Sequence, residues 1–145
     1  MINDKSGSVY VLLVEDDLND SLLMKHAFEQ LEISVSLKIV HDAEEAITRL
    51  KFVSDSGSTA PDLIILDLKL PGRSGFDILK WIRSQDPLKH IPVIVLSSSA
   101  HHSDVLRCYQ LGANSYLVKP VRHQDLIEMV RAIKNYWFDM NHGVI

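Results

Sequence analysis

A doubly wound α/β sandwich, in which a parallel sheet is covered by helices on both faces, is the fold class that the sequence predicts. Three observations carry it. Five short runs of aliphatic and β-branched residues recur along the chain, stretches of helical period separate them, and four of the five runs are apolar throughout, as strands buried on both faces must be. With 145 residues and 46% hydrophobic content, the chain is the size of one compact domain with a substantial core. Right-handed crossovers between successive parallel strands then distribute the helices over both faces.

The elements follow in order. Val9–Val14 is the first strand, and the apolar set Leu22, Leu23, Ala27 and Leu31 marks one face of the first helix. Val35–Val40 is the second strand, followed by a helix whose buried face is Ala43, Ala46, Ile47 and Leu50. Ser54–Pro61 is polar and Gly/Ser-rich, a surface connection into the third strand, Leu63–Leu66. Beyond the Gly75 break, Ile78, Leu79 and Ile82 set the core face of the next helix. Val93–Leu96 and Tyr116–Val118 are the fourth and fifth strands, with a helix-like stretch around Cys108 between them. The last helix carries Leu126, Met129, Val130, Ile133 and Trp137 as a single apolar stripe. Tyr136, Trp137 and Phe138 are consecutive, so they cannot all face inward, and at least one is expected to face a partner. Five such units make a small flavodoxin-like fold.

Composition narrows the function. A formal net charge of -4 opposes a phosphate-backbone binder, so nucleic acid is not an expected partner. One cysteine cannot form an internal disulfide, and Cys108 reads as a small core residue in a reducing cytoplasm. No secretory h-region or run long enough to span a membrane is seen, so no membrane association is expected.

Open α/β sheets place their sites at the carboxyl ends of the strands, and polar residues collect there. The first strand stops in Glu15, Asp16 and Asp17; the third ends in Asp67, the fourth in Ser97, and the fifth in Lys119 followed by Pro120. Three adjacent carboxylates after a buried strand repel one another unless a cation lies between them. Facing carboxylates from two strands suit a hard divalent ion such as Mg²⁺. A carboxylate flanked by that ion and by a lysine ammonium can attack phosphorus, giving an aspartyl phosphate, and a neighbouring hydroxyl can donate to a phosphoryl oxygen. Asp17 itself reads as a helix N-terminal acid. The adjacent His101 and His102 read as solvated residues of a polar loop.

The segments "VLLVEDD", "DLIILDLKLPGRSGFDIL", "IPVIVLSSS" and "LGANSYLVKP" resemble the receiver domain of two-component response regulators, from Val9 to about Trp137. The resemblance implies a five-stranded sheet of order 2-1-3-4-5. It also implies Asp67 as phosphoacceptor, Ser97 and Lys119 as its catalytic partners, and Tyr116 as the switch aromatic. Mg²⁺ would be held by Glu15, Asp16, Asp67 and the backbone carbonyl of Lys69. A cis Lys119-Pro120 peptide is usual in the family. Lys69 and Ser98 depart from commoner residues in the family, which bears on phosphate lifetime and partner access.

The segments "VLSSSAHHSDVLRCYQLGANSYLVKP" and "LIEMVRAIKNYWF" are similar, more narrowly, to the small response regulators that partner cyanobacterial phytochromes. The implied partners are a sensor histidine kinase of phytochrome type, docking through the first helix and the fifth βα loop, and a second copy joined through the fourth helix, fifth strand and fifth helix. On this reading residues 1–8 are a flexible N-terminus, 9–138 the receiver and 139–145 a tail, with no output domain. The protein would be cytoplasmic, and it would not be an enzyme in the ordinary sense, although it promotes its own phosphorylation and dephosphorylation. A receiver of another two-component pathway, such as chemotaxis or a phosphorelay intermediate, is the alternative. An aspartyl-phosphate phosphatase fits less well, because Lys69 stands where a general acid is needed. A flavin-binding flavodoxin-like protein would need a phosphate-cradling loop where this chain has "EDDLND".

Overall fold

The computed structural model describes residues 8–56 and 59–143. Five strands, β1 (Ser8–Val14), β2 (Ser34–Val40), β3 (Leu63–Leu66), β4 (Val93–Ser97) and β5 (Ser115–Val118), form one parallel sheet in the order β2-β1-β3-β4-β5. The helices are α1 (Leu18–Glu29), α2 (Ala43–Ser56), α3 (Gly75–Ser84), α4 (His102–Gln110) and α5 (His123–Ile133), which continues as a π-helical segment, Lys134–Met140. The expected flavodoxin-like fold and strand order are both present. Of the expected loop at 54–61, the first part is helical, because α2 runs to Ser56, and residues 57 and 58 lie outside the described residues. The expected flexible N-terminus lies outside them too, apart from Ser8, which opens β1.

The sheet separates two cores. Leu12 and Val14 of β1 point with Ile64 and Leu66 toward α2, α3 and α4; Val11 and Leu13 point with Ile65 and Ile94 toward α1 and α5. Because strands β3 and β4 are buried on both faces, their sequences are apolar without alternation. The edge strands differ. β2 alternates exposed and half-buried residues, and β5 is only half-buried.

The expected core faces of α2 and α3 are fully buried. That of α1 holds for Ala27, which is buried, and Leu31, which packs against the core, but is corrected for Leu22 and Leu23, 61% and 41% exposed; Ser21, Met24 and Phe28 face the core instead. In α5 the predicted stripe holds through Ile133. The change to π-helical winding then shifts the phase, burying Phe138 and leaving Trp137 partly covered and Tyr136 exposed. Cys108 is the buried residue of α4, and desolvation pushes its thiol up to about 11, so it acts as a core hydrophobe. No helix among the described residues is long and apolar enough to cross a membrane.

Two local features shape the sheet's carboxyl edge. Ser74 opens α3 with a capping box, its hydroxyl accepting from the Asp77 N–H and the Asp77 carboxylate from the Ser74 N–H. This start packs Gly75 against the chain just after β3: its N–H donates to the Leu68 carbonyl at 2.9 Å, and a Cβ there would collide with the Asp67 carbonyl oxygen. At the opposite, amino edge Arg83 ties the entries to β4 and β5 together, donating to the carbonyls of Ile91 (2.8 Å) and Gly112 (2.9 Å) and to Asn114 Oδ1 (2.7 Å).

Candidate functional site

The residues after the strands stay in register because the ladder continues past each strand end. Glu15 N–H donates to the Val40 carbonyl, Asp67 N–H to the Val14 carbonyl, and Lys119 N–H to the Ser97 carbonyl, at 2.9, 3.1 and 2.8 Å. Backbone pairing thus brings Glu15, Asp67, Ser97 and Lys119 to one edge. The ligand oxygens of Glu15, Asp16 and Asp67 all lie within 4.8 Å of one another, with Glu15 and Asp67 buried and Asp16 exposed. Such a set can hold a hard divalent cation.

Lys119 closes the pocket. Its Nζ donates to Glu15 Oε1 at 2.7 Å, Asp20 Oδ2 at 2.8 Å and Asp67 Oδ2 at 3.0 Å. Burial pushes the Glu15 carboxyl up to about 7, even though the hydrogen bond from Lys119 works against this; the nearby Asp67 charge adds to the rise. Burial alone would lower the Lys119 ammonium. The Asp20 and Glu15 carboxylates that it bonds, joined by the Asp67 charge, outweigh burial and hold it above its ordinary value. The Lys119-Pro120 peptide is trans, and no cis bond occurs among the described residues, which corrects the cis expectation; with the trans bond Lys119 Nζ still reaches all three carboxylates.

The remaining expected residues lie around this pocket. Asp17 is the N-cap of α1, its carboxylate accepting from the Asp20 N–H at 2.9 Å, and it takes no part in the carboxylate triad. Exposed Lys69 turns its backbone N–H to Asp67 Oδ1 at 3.2 Å. Ser97 is fully buried, and its hydroxyl accepts from the Ser99 N–H at 3.1 Å. The Tyr116 hydroxyl donates to the Ser99 carbonyl at 2.7 Å, while its N–H donates to the Tyr109 hydroxyl of α4 at 3.1 Å. His101 and His102 are exposed as expected, but they open α4, His101 as its N-cap and His102 as its first residue, and do not lie within a loop.

Two participants were not foreseen. Asp20 reads in sequence as an ordinary first-turn helical acid, and only the fold carries it to Lys119, 99 residues away. Ser99 reads as one of three serines, yet it meets Ser97, Tyr116 and Asp104: its hydroxyl donates to Asp104 Oδ2 at 2.7 Å. A polar path therefore leads from the fourth strand end to the first turn of α4.

A buried acidic pocket at the switch edge of a five-stranded parallel sheet, with a lysine across it, defines a receiver. Residues 11–131 match the response regulator receiver domain family, and the chain belongs to that family. Among curated relatives, the chain is 35% identical over 140 residues to the response regulator Rcp1 of Synechocystis, covering 96% of this chain and 95% of Rcp1. It is 36% identical over 133 residues to a probable methanogenesis regulatory protein, FilR2, of Methanothrix harundinacea, covering 92% of this chain and 86% of FilR2.

Solved structures agree. The Mn²⁺-bound form of Rcp1 superposes with a TM-score of 0.85 at 35% identity, covering 94% of this chain and 99% of that one. The phosphorylated cyanobacterial phytochrome response regulator RcpA gives 0.88 at 32% identity, covering 95% and 99%. The chain is thus a receiver homologous to Rcp1 and RcpA, and its acidic pocket fits a phosphorelay signalling role.

Proposed function

We propose that Asp67 accepts a phosphoryl group from a phosphohistidine of a sensor kinase and that the protein signals through the resulting change in its contacts. The carrying observation is the convergence of Lys119 Nζ on Asp67 Oδ2, at 3.0 Å, within a triad of carboxylates suited to a divalent cation. An Asp67 carboxylate oxygen forms the new bond to phosphorus as the P–N bond breaks, and the bonding pair leaves on the imidazole nitrogen. Mg²⁺ is the proposed ion, held by Glu15, Asp16, Asp67 and the Lys69 backbone carbonyl; when bound it supplies positive charge to the phosphoryl oxygens. Lys119 turns a donor from the Asp67 carboxylate to a phosphoryl oxygen, and Ser97 donates its hydroxyl to another. That donation draws Ser97 away from Ser99, whose carbonyl holds Tyr116, so the aromatic follows. The same groups promote hydrolysis of the aspartyl phosphate by water, which resets the switch.

The kinase is proposed to be of phytochrome type, on the strength of the RcpA likeness. It would dock on α1 and the loop before α5, where Leu18, Leu22 and Val121 are exposed. The second partner is another copy, joined through α4, β5 and α5; exposed Leu106, Tyr109, Val118 and Tyr136 favour that face. Residues 9–138 would form the receiver unit of this cytoplasmic protein, which needs no nucleic-acid contact. Intact-mass spectrometry after incubation with acetyl phosphate and Mg²⁺ tests the reading. The parent should gain one phosphoryl group and Asp67→Asn none; an equal gain in both would overturn it.

A further inference from the structure

Asp20 has no part in the transfer just described, yet it makes one of the three contacts to the lysine that does. Its carboxylate comes from the first turn of α1, 2.8 Å from Lys119 Nζ, and its side chain is 40% exposed, whereas Glu15 and Asp67 are buried. An ammonium has three N–H donors. All three are committed here, to Glu15, Asp20 and Asp67.

We propose that Asp20 is a positioning residue that restrains phosphoryl transfer, its carboxylate competing with the incoming phosphoryl oxygens for the Lys119 ammonium and adding a fourth negative charge to the pocket. The proposal rests on Asp67 being the phosphoacceptor. Asp20 is set apart from the other two carboxylates in three ways. It lies outside the Glu15, Asp16 and Asp67 triad that can hold a cation, so its charge is left facing the lysine. It is carried by a helix rather than by the strand ladder, so it can be replaced without touching the pairing that fixes Glu15, Asp67 and Lys119. Its backbone N–H, not its side chain, makes the N-cap bond to Asp17, so removing the Asp20 charge leaves the cap of α1 in place.

With a cation held by Glu15, Asp16 and Asp67, an anionic phosphoryl donor still meets the Asp20 charge beside Lys119. Removing the Asp20 charge lowers that repulsion and leaves Lys119 with one competitor fewer. A unit charge one ammonium removed from the reacting carboxylate alters a rate by about threefold to tenfold when half-exposed, and salt screens the effect.

The experiment is the bimolecular rate of Asp67 phosphorylation by acetyl phosphate with Mg²⁺, at low and at high salt, for the parent, Asp20→Asn, Asp20→Ser and Asp20→Glu, each checked for parental Tm. Asparagine keeps the side-chain shape and an acceptor oxygen. The expected result is a rate about threefold to tenfold higher for Asp20→Asn and Asp20→Ser at low salt, a smaller gain at high salt, and a parental rate for Asp20→Glu. Folded Asn and Ser variants at or below the parental rate would overturn the inference alone and leave Asp20 a structural anchor. A parent that takes up no phosphate would overturn the phosphoacceptor reading and this inference with it.

Discussion

Replacing Lys119 by methionine removes the only ammonium bonded to Glu15 and Asp67 among the described contacts while keeping most of the side-chain volume. Lys119 is 18% exposed and its ion pairs run from 2.7 to 3.0 Å. Breaking a buried pair leaves an uncompensated charge and costs about 3–5 kcal/mol. Asp20 is better solvated and adds little to that cost. Glu15 has an escape route: its carboxyl already stands at about 7, and without the ammonium it rises further, so at pH 5 it is a neutral acid in the folded state. The loss should therefore be about 3 kcal/mol at pH 8 and about 1 kcal/mol at pH 5. For a chain of this size that is a fall in Tm of about 10 °C at pH 8. Urea unfolding with chelator at both pH values measures it, and millimolar Mg²⁺ should restore part of the loss at pH 8. Equal losses at the two pH values, or none at pH 8, would refute the view that Lys119 compensates a strained carboxylate cluster.

Three further outcomes follow from the same geometry. Glu15 is raised from 4.5 to about 7, so the folded state binds the proton more tightly than the unfolded chain; its contribution is present below pH 4.5 and is lost as pH rises through 7, by up to about 1.4 kcal/mol per unit. Glu15→Gln should then be the more stable protein in metal-free buffer at pH 8, with the difference from the parent vanishing near pH 4.5 in denaturation curves. Gly75→Ala drives a methyl into the Asp67 carbonyl and to 2.8 Å from Leu68 Cα, so it should cost about 2–4 kcal/mol and slow phosphate uptake, as unfolding and mass spectrometry would register. Tyr116→Phe loses only the 2.7 Å bond to the Ser99 carbonyl; calorimetry should find about 1 kcal/mol less stability, with phosphorylation of Asp67 retained.

Much of this arrangement was legible in the sequence because the parallel sheet writes it there twice, once in the apolar central strands and once in the polar residues that end β1, β3, β4 and β5. Glu15, Asp67, Ser97 and Lys119 stand directly after, or at the end of, their strands, so backbone register alone brings them together. In the first helix Leu22 and Leu23 are as apolar as Met24 and Phe28, and only packing against α5 and the sheet selects the second pair beside Ala27. In the last helix the shift to π-helical winding buries Phe138 beside Trp137, which packs against the core only in part, and a fixed 3.6-residue period cannot anticipate the added residue. Asp20 and Ser99 escaped because their partners are reached through tertiary structure, by residues whose local roles already explained them.

Phosphorylation of Asp67 itself can be seen by trapping the product with borohydride. An aspartyl phosphate is reduced to homoserine, so peptide mapping after treatment with acetyl phosphate, Mg²⁺ and borohydride identifies the position. Homoserine is expected at position 67, with unchanged aspartate at 16 and 20. Homoserine at either of those positions, or an intact Asp67 in protein that has gained a phosphoryl group, would contradict that assignment.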